Sequence, residues 1–458
     1  MVKMKRIAAL AMSACLLVCA GGCGKKEAVS DGTVKISIGN WPSKTDEANY
    51  ERHMKWKEQM KEKYPNIDIT PDIGAVDIQT FLTKASSGQL PTLYITYFTE
   101  ASKIINEGYS LDITKFIDKY GYKDAVKKNI MDMVTSDGKI YGLPANSYAM
   151  GLMINMNLFK KAGLVNDDGT PKVPETFEQL ADYSKIIREK TGKAGFILPT
   201  TNNCGGWHFM NIAWAYGVEF MKEENGKYKA TFDNEKAVEA LQYVKDLKWK
   251  YNALPENTFI DQKEMNKLFA TDEGAMFLSS PPVDSLVTDY AMDKDSVASA
   301  TIPAGPKAKV SLMGGGINMV EANATDEQAD ACFKWLEIIG KAPVVTEDTL
   351  KSEEANFKMR NEKGLIVGPE GYGIWDNRLN EDKLTALREK YTNVNMKLFE
   401  DYLKFDGVTI KPEEPVNCQE LYNILDGIIQ EVLNNKNADV KALVAKANSD
   451  FQKNYLDI

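Results

Sequence analysis

Few residues in this chain are of types that make or break bonds. His53 and His208 are the only histidines, so no H-E-x-x-H metal helix exists, and a Ser-His-Asp arrangement would have to rest on one of two isolated imidazoles. His53 is expected on a solvated helix face. Neither G-x-S-x-G nor G-x-x-x-x-G-K occurs, and Gly314-Gly315-Gly316 lacks the lysine and spacing of a phosphate loop. A glycine run of this kind instead permits close backbone approach near a strand end or cleft. Asn166-Asp167-Asp168-Gly169 has turn chemistry without the downstream glutamate of a calcium loop. The 65 acidic residues leave a carboxylate pair of the glycoside-hydrolysing kind open, since spacing in sequence does not report spacing in space. No cofactor and no metal is expected. Cys204, Cys332 and Cys418 have no C-x-x-C spacing, and Cys332 falls with Ala329, Phe333, Leu336 and Ile339 at helical spacing, as a small core residue would.

The elements that must position any site read clearly at the start. Val34 to Ile38, Ile67 to Ile73 and Leu93 to Thr96 have strand character, separated by helices over Asp46 to Lys63 and Ile78 to Ser87. This βαβαβ order predicts an α/β fold with a largely parallel sheet, which binds ligands beyond the carboxyl ends of its strands. Trp41 follows the first strand and Tyr97 the third. Capping patterns at Thr176, Thr325 and Asn417 open further helices. Hydrophobic residues are 43% and charged residues 26% of the chain, ordinary for a globular protein. About 435 residues beyond the leader exceed what one core organises, which predicts two lobes. Net charge is −9, or −12 once three positive charges of the leader are set aside, so nucleic acid is excluded as a partner of the body.

That leader begins with Lys3, Lys5 and Arg6, continues as an apolar run from Ile7 to Cys19, and ends in Ala20-Gly21-Gly22-Cys23. The apolar run is too short for a stable membrane span and reads as an export signal. Its end resembles a bacterial lipobox, with Ala20 where leucine is usual. The resemblance implies removal of residues 1–22, acylation of Cys23, and a tether over 23–33 holding the body to the outer face of the cell membrane. An ordinary secretory signal with an incidental cysteine is the alternative.

Three stretches then carry a wider resemblance: Asp137-Gly138-Lys139-Ile140-Tyr141-Gly142-Leu143-Pro144, Leu152 to Leu164, and Val173-Pro174-Glu175-Thr176-Phe177-Glu178-Gln179-Leu180. They resemble the central signature of extracellular solute-binding proteins of ABC importers, the family that contains maltose-binding protein. Ala85 to Pro91, Phe269 to Met276 and Gly314 to Asn318 extend the match in the same order, with Thr92 where aspartate is usual. The resemblance covers Val34 to Leu456 apart from an elaborated stretch near 344–415. It implies a two-lobed binding-protein fold with several hinge crossings: residues 34–144 with 283–340 as one lobe, and 145–282 with 341–458 as the other. It also implies a monomer that is not an enzyme. Ligand held between the lobes would favour their closed arrangement, which the membrane permease of an ABC transporter would recognise.

A carbohydrate, in particular an oligosaccharide, is the solute most consistent with the aromatic inventory of 7 Trp and 20 Tyr. Sugars present apolar C–H faces and a rim of hydroxyls, which flat rings and amides or carboxylates can match. The candidate ligand residues are Trp41, Tyr97, Asn146, Tyr148, Asn202, Trp207, Ser280, Gly315, Trp375, Asp376 and Arg378, with Asn203 and Ser279 beside them. Each tryptophan has an equally ordinary role in a lobe core. Two other readings stay open: the same fold binding a polyamine, peptide or organic anion, and an extracellular glycosidase.

Overall fold

The computed structural model describes residues 32–73 and 78–457. The expected leader, the Cys23 acylation site and the tether as far as Asp31 lie outside the described residues. Val34–Ile458 form one compact unit.

The first strand, β1 (Val34–Trp41), buries Ile36, Ile38 and Trp41, so its apolar side chains set the face turned to the core. It pairs in parallel with β2 (Ile67–Ile73), Val34 opposite Ile67, and with β3 (Leu93–Tyr97), Ile38 opposite Leu93. Helices Glu47–Lys63 and Ile78–Ser86 make the crossovers. A short ribbon, β4 (Thr135–Ser136) and β5 (Lys139–Ile140), precedes β6 (Leu143–Ala149) and β7 (Gly151–Asn155). A hairpin follows from β8 (Met221–Glu224) and β9 (Lys227–Ala230). Then come β10 (Met276–Ser279), β11 (Val297–Thr301), β12 (Val310–Val320) and β13 (Thr409–Pro412).

The larger sheet runs β13-β12-β3-β1-β2, with β6 also paired to β12. It is mixed rather than largely parallel: β12 runs antiparallel to both β3 and β6, because β12 and its parallel neighbour β13 enter from the end opposite to the other strands. The second sheet, β10-β7-β11, is wholly antiparallel. Burial follows the two sheets. One core gathers Ile36, Tyr94, Ile117, Met313, Ile317 and Trp335, the other Leu152, Phe177, Phe209, Val244, Phe277 and Leu425. Two strands cross between them. β12 leaves the second core at Leu312 and joins the first at Met313, while the chain passes from Leu143 in the first core through β6 to Met150 in the second.

Core membership departs from the expected partition in two places. β11 occupies the free edge of β7 with all five residues buried, and Leu286 and Met292 join the same core, so the return to the first lobe begins at β12 rather than at Val283. In the elaborated stretch, Ile374 with Tyr372 and Trp375 packs on the first core rather than the second, and Val345, Phe357, Val367 and Leu384 form a small cluster of their own.

Local signals behave as their chemistry dictates. Thr176 accepts a hydrogen bond from the Gln179 amide, and Thr325 forms a full capping box with Gln328. Asn417 departs from expectation: it is left-handed and its side chain donates to the Tyr455 carbonyl, so the helix Cys418–Asn434 starts without a side-chain cap. His53 also departs. Rather than facing solvent it is half-buried, edge-on to Trp41 (5.2 Å) and Trp56 (4.9 Å), and burial lowers its pKa. Cys204, Cys332 and Cys418 are free thiols, Cys332 and Cys418 buried. No helix among the described residues is long and apolar enough to cross a membrane.

Candidate binding cleft between the two cores

A cavity of about 400 Å³ opens where the carboxyl ends of β1 and β3 face the second core. The first core contributes Asn40, Thr96 and Tyr97, and the crossing strands contribute Asn146, Tyr148, Gly315 and Gly316. The second contributes Asn202, Asn203, Cys204, Trp207, Gln262, Gln419 and Tyr422, together with Glu413 just after β13.

The crossing strands are shaped for this cavity. A Cβ at Gly314 would stand 2.3 Å from the Tyr148 hydroxyl oxygen, and one at Gly315 would stand 2.3 Å from the Asn146 carbonyl and 2.5 Å from the Phe98 ring. The glycine run is therefore required by close packing of Tyr148 and Phe98. Asn146 Oδ1 accepts from the Gly316 amide at 3.0 Å, which fixes that side chain at the cavity wall.

On the opposite side, Trp207 sits in the first turns of the helix Cys204–Ala215. Tyr148 meets it edge to face at 6.2 Å. Behind it, His208 stands edge-on at 4.9 Å, with Nδ1 2.7 Å from the Cys204 carbonyl and Nε2 3.0 Å from that of Leu278. Burial pushes the His208 pKa down to about 4, against the pull of the two carbonyls that its ring nitrogens face. Asn202 and Asn203, both left-handed, turn the chain into the helix. In place of a side-chain cap from Asn203, Asp426 reaches across from the helix Cys418–Asn434 and accepts from the amides of Asn203 (2.8 Å) and Gly206 (2.7 Å). Burial raises the Asp426 pKa to about 6 against the pull of these amides.

One side chain joins the walls. Gln419 accepts from Asn203 Nδ2 at 3.1 Å and donates to Thr99 Oγ1 at 3.4 Å, linking the second core to the first. Glu413 accepts from the Tyr422 hydroxyl at 2.7 Å. Burial pushes its carboxyl up to about 7; the Tyr422 hydrogen bond opposes the rise and nearby Glu100 adds to it. Glu413 is the one carboxylate among the described residues lining this cavity, and no lysine or arginine lines it.

The cavity thus brings together Tyr97, Asn146, Tyr148, Asn202, Trp207 and Gly315. The other candidates lie elsewhere. Trp41 is 1% exposed and stacks on Trp335 at 5.6 Å, because the β1 end points into the first core. Ser280 shares a hydrogen bond with the Tyr402 hydroxyl at 3.1 Å. Trp375 stacks on Tyr122, and Arg378 lies over its other neighbourhood, 4.7 Å from the ring, while donating to the carbonyls of Ala342 and Gly340. Asp376 is exposed beside Asn377. Trp41, Ser280, Trp375 and Arg378 are tied up in structure, and Asp376 stands at the surface away from the cavity. Asn40, which follows the apolar run of the first strand as Trp41 does, also lines the cavity, whereas Gln262, Glu413, Gln419 and Tyr422 carry no local signal in the sequence. Among the described residues no group of three or more His, Cys, Asp or Glu is placed to hold a metal ion.

Comparison with known proteins places this architecture. The family model described as bacterial extracellular solute-binding protein matches residues 42–338. A binding protein of Brucella abortus is 23% identical over 278 residues, 60% of this chain, and the match spans 64% of that relative's length. The maltodextrin-binding protein MdxE of Bacillus subtilis is 25% identical over 262 residues, 55% of this chain and 57% of its own length. Among solved structures, an ABC transporter solute-binding protein from Thermotoga lettingae bound with α-D-tagatose superposes with a TM-score of 0.68. It is 19% identical, over 92% of this chain and 99% of that one, and so shares the two-lobed α/β fold.

Proposed function

We propose a function from the premise that this chain belongs to the bacterial extracellular solute-binding protein family: it captures a carbohydrate between its lobes and delivers it to the permease of an ABC importer. The observation that carries this reading is the wall chemistry of the cleft. Tyr97, Tyr148 and Trp207 offer ring faces and edges for sugar C–H surfaces, and Asn146, Asn202, Gln262 and Gln419 offer directed hydrogen bonds for hydroxyls. Because the walls come from both cores, a ligand touching both stabilises their approach by its differential affinity. No bond in the solute changes. The body acts as a monomer, and acylated Cys23 holds it to the outer face of the membrane.

One observation favours a second reading. Glu413, with Glu100 nearby and no lining cation, suits an amine, so a polyamine in the same cleft is the alternative.

Thermal shift of the full chain against neutral and acidic saccharides, polyamines and amino acids separates the two. At about 100 times its dissociation constant a ligand stabilises by about 2.7 kcal/mol. A shift with one glycan family, recovered uncleaved, supports the sugar reading. A shift confined to amines replaces it, and cleavage of the glycan makes the protein an enzyme.

A further inference from the structure

Trp207 is the fourth residue of the helix Cys204–Ala215, and that helix begins without a side-chain cap of its own. The first amides of a helix have no acceptor within it, so one must come from outside. Here the acceptor belongs to another helix. Asp426 on Cys418–Asn434 is 4% exposed, and each of its carboxylate oxygens takes one amide: Oδ2 that of Asn203, Oδ1 that of Gly206. Among the described residues no cation is paired with it, so its charge is turned to the positive end of the Trp207 helix.

Asp426 belongs to a stripe. Gln419, Tyr422, Asp426 and Gln430 follow one another at steps of three and four residues, which puts them on one face of their helix. Gln419 accepts from Asn203 Nδ2, and Gln430 donates to the Thr200 carbonyl, so the turn ahead of Trp207 is held at both ends. Between these anchors the backbones touch. A Cβ at Gly206 would stand 2.4 Å from the Tyr422 Cα, and one at Gly205 would stand 2.7 Å from Asp426 Oδ1. The two glycines thus let the carboxylate reach the helix start, and a shift of that start carries the next residue, Trp207, with it.

We infer that Asp426 is a positioning residue of the cleft: it does not line the cavity, but it fixes the first turn of the Trp207 helix and so the angle at which that ring meets the solute. What the ring meets rests on the carbohydrate reading; how the ring is placed does not. Asparagine at 426 has the same size and one acceptor oxygen for two amides, so the turn loses one of its anchors.

The full chain labelled with 5-fluorotryptophan gives one fluorine line for each of its 7 tryptophans, and Trp207→Phe identifies the line of interest. In Asp426→Asn that line should move or split, while the lines of Trp41 and Trp335 in the first core stay in place and show that the fold is intact. Gln430→Ala, which frees only the Thr200 carbonyl, should move the same line and keeps the test open should Asp426→Asn fail to fold. Calorimetry with the saccharide that gives the largest thermal shift reads the consequence. Asp426→Asn should lower affinity at least about fivefold in the wild-type chain and less than about twofold in the Trp207→Ala chain. An unmoved Trp207 line in the folded variants, equal movement of all lines in both variants, or equal affinity losses in the two backgrounds would each overturn the inference. If no saccharide binds, the carbohydrate reading falls, and the fluorine lines still decide whether Asp426 sets the ring.

Discussion

Trp41 and Trp207 are both flanked by polar residues near the ends of elements, yet their surroundings differ completely. Trp41 ends β1, is 1% exposed, and lies in a pile of rings with Trp335, His53 and Trp56. Its indole Nε1 is buried without a hydrogen-bond partner, so the ring is there for its volume. Trp207 is half-buried, braced from behind by His208 and edge-on to Tyr148, with the cavity in front. A ring with neighbours on every side is packing; a ring held from one side only is a surface prepared for something else.

The contrast can be broken by substitution. Trp41→Ala should cost about 3–5 kcal/mol of stability, the usual result for emptying a large buried site, while Trp41→Phe should recover more than half because no hydrogen bond is lost. Urea unfolding of both variants measures this; near-equal loss in the two would mean that the Nε1 matters after all. Trp207→Ala should behave oppositely. Ligand affinity should fall at least tenfold, about 1.4 kcal/mol or more, with the melting temperature little changed. Unaltered affinity in calorimetry would remove Trp207 from the site.

Glu413 sharpens the comparison, since it is half-buried like Trp207 and lines the cavity, yet burial raises its pKa. Its folded pKa of about 7, like that of about 6 for Asp426, lies above the ordinary carboxylate value. The folded state therefore holds these protons more tightly than the unfolded state. Their contribution is fullest below about pH 4.5 and is lost as pH rises through 6 and 7. Between pH 5 and pH 8 the wild type should lose about 2 kcal/mol that Glu413→Gln retains in large part. Parallel urea midpoints in the two proteins across that range would refute the assignment. The smallest effect belongs to Trp249, 38% exposed on its helix, whose Nε1 donates to the Val432 carbonyl at 2.9 Å. Trp249→Phe should cost about 1 kcal/mol, the value of one such bond, with no change in binding.

The βαβαβ start was legible because each element is specified by its own residues: alternating Ile36 and Ile38, the period of Glu47–Lys63, the turn residues between. The site was legible only where a local cue coincided with it, as at Tyr97 after β3, Trp207 beside the paired asparagines, and the glycine run. Trp41 had the same strand-end cue and points inward, since a bulge between Ile38 and Trp41, with Asn40 left-handed, brings it to the buried face of Ile36 and Ile38 and onto Trp335. Glu413, Gln419 and Tyr422 reach the cavity from more than 260 residues beyond Asn146. Nothing in their own neighbourhood announces this, because what places them is the packing of the helix Cys418–Asn434 on the helix Cys204–Ala215. The same holds for Trp375 and Arg378, whose loop is pinned to the first core by Tyr122 and the Gly340 and Ala342 carbonyls.

β12 has a mechanical consequence. It belongs to both cores and is laddered to β6 from Met313 to Asn318, straddling the point where the cores part. A two-stranded ribbon held by interstrand bonds cannot stretch or slip without breaking register, but it can change its pitch at little cost. The two bodies are thus denied translation past one another and left with torsion about a shared axle, and the bare backbone at Gly314, Gly315 and Gly316 is where that axle is thinnest.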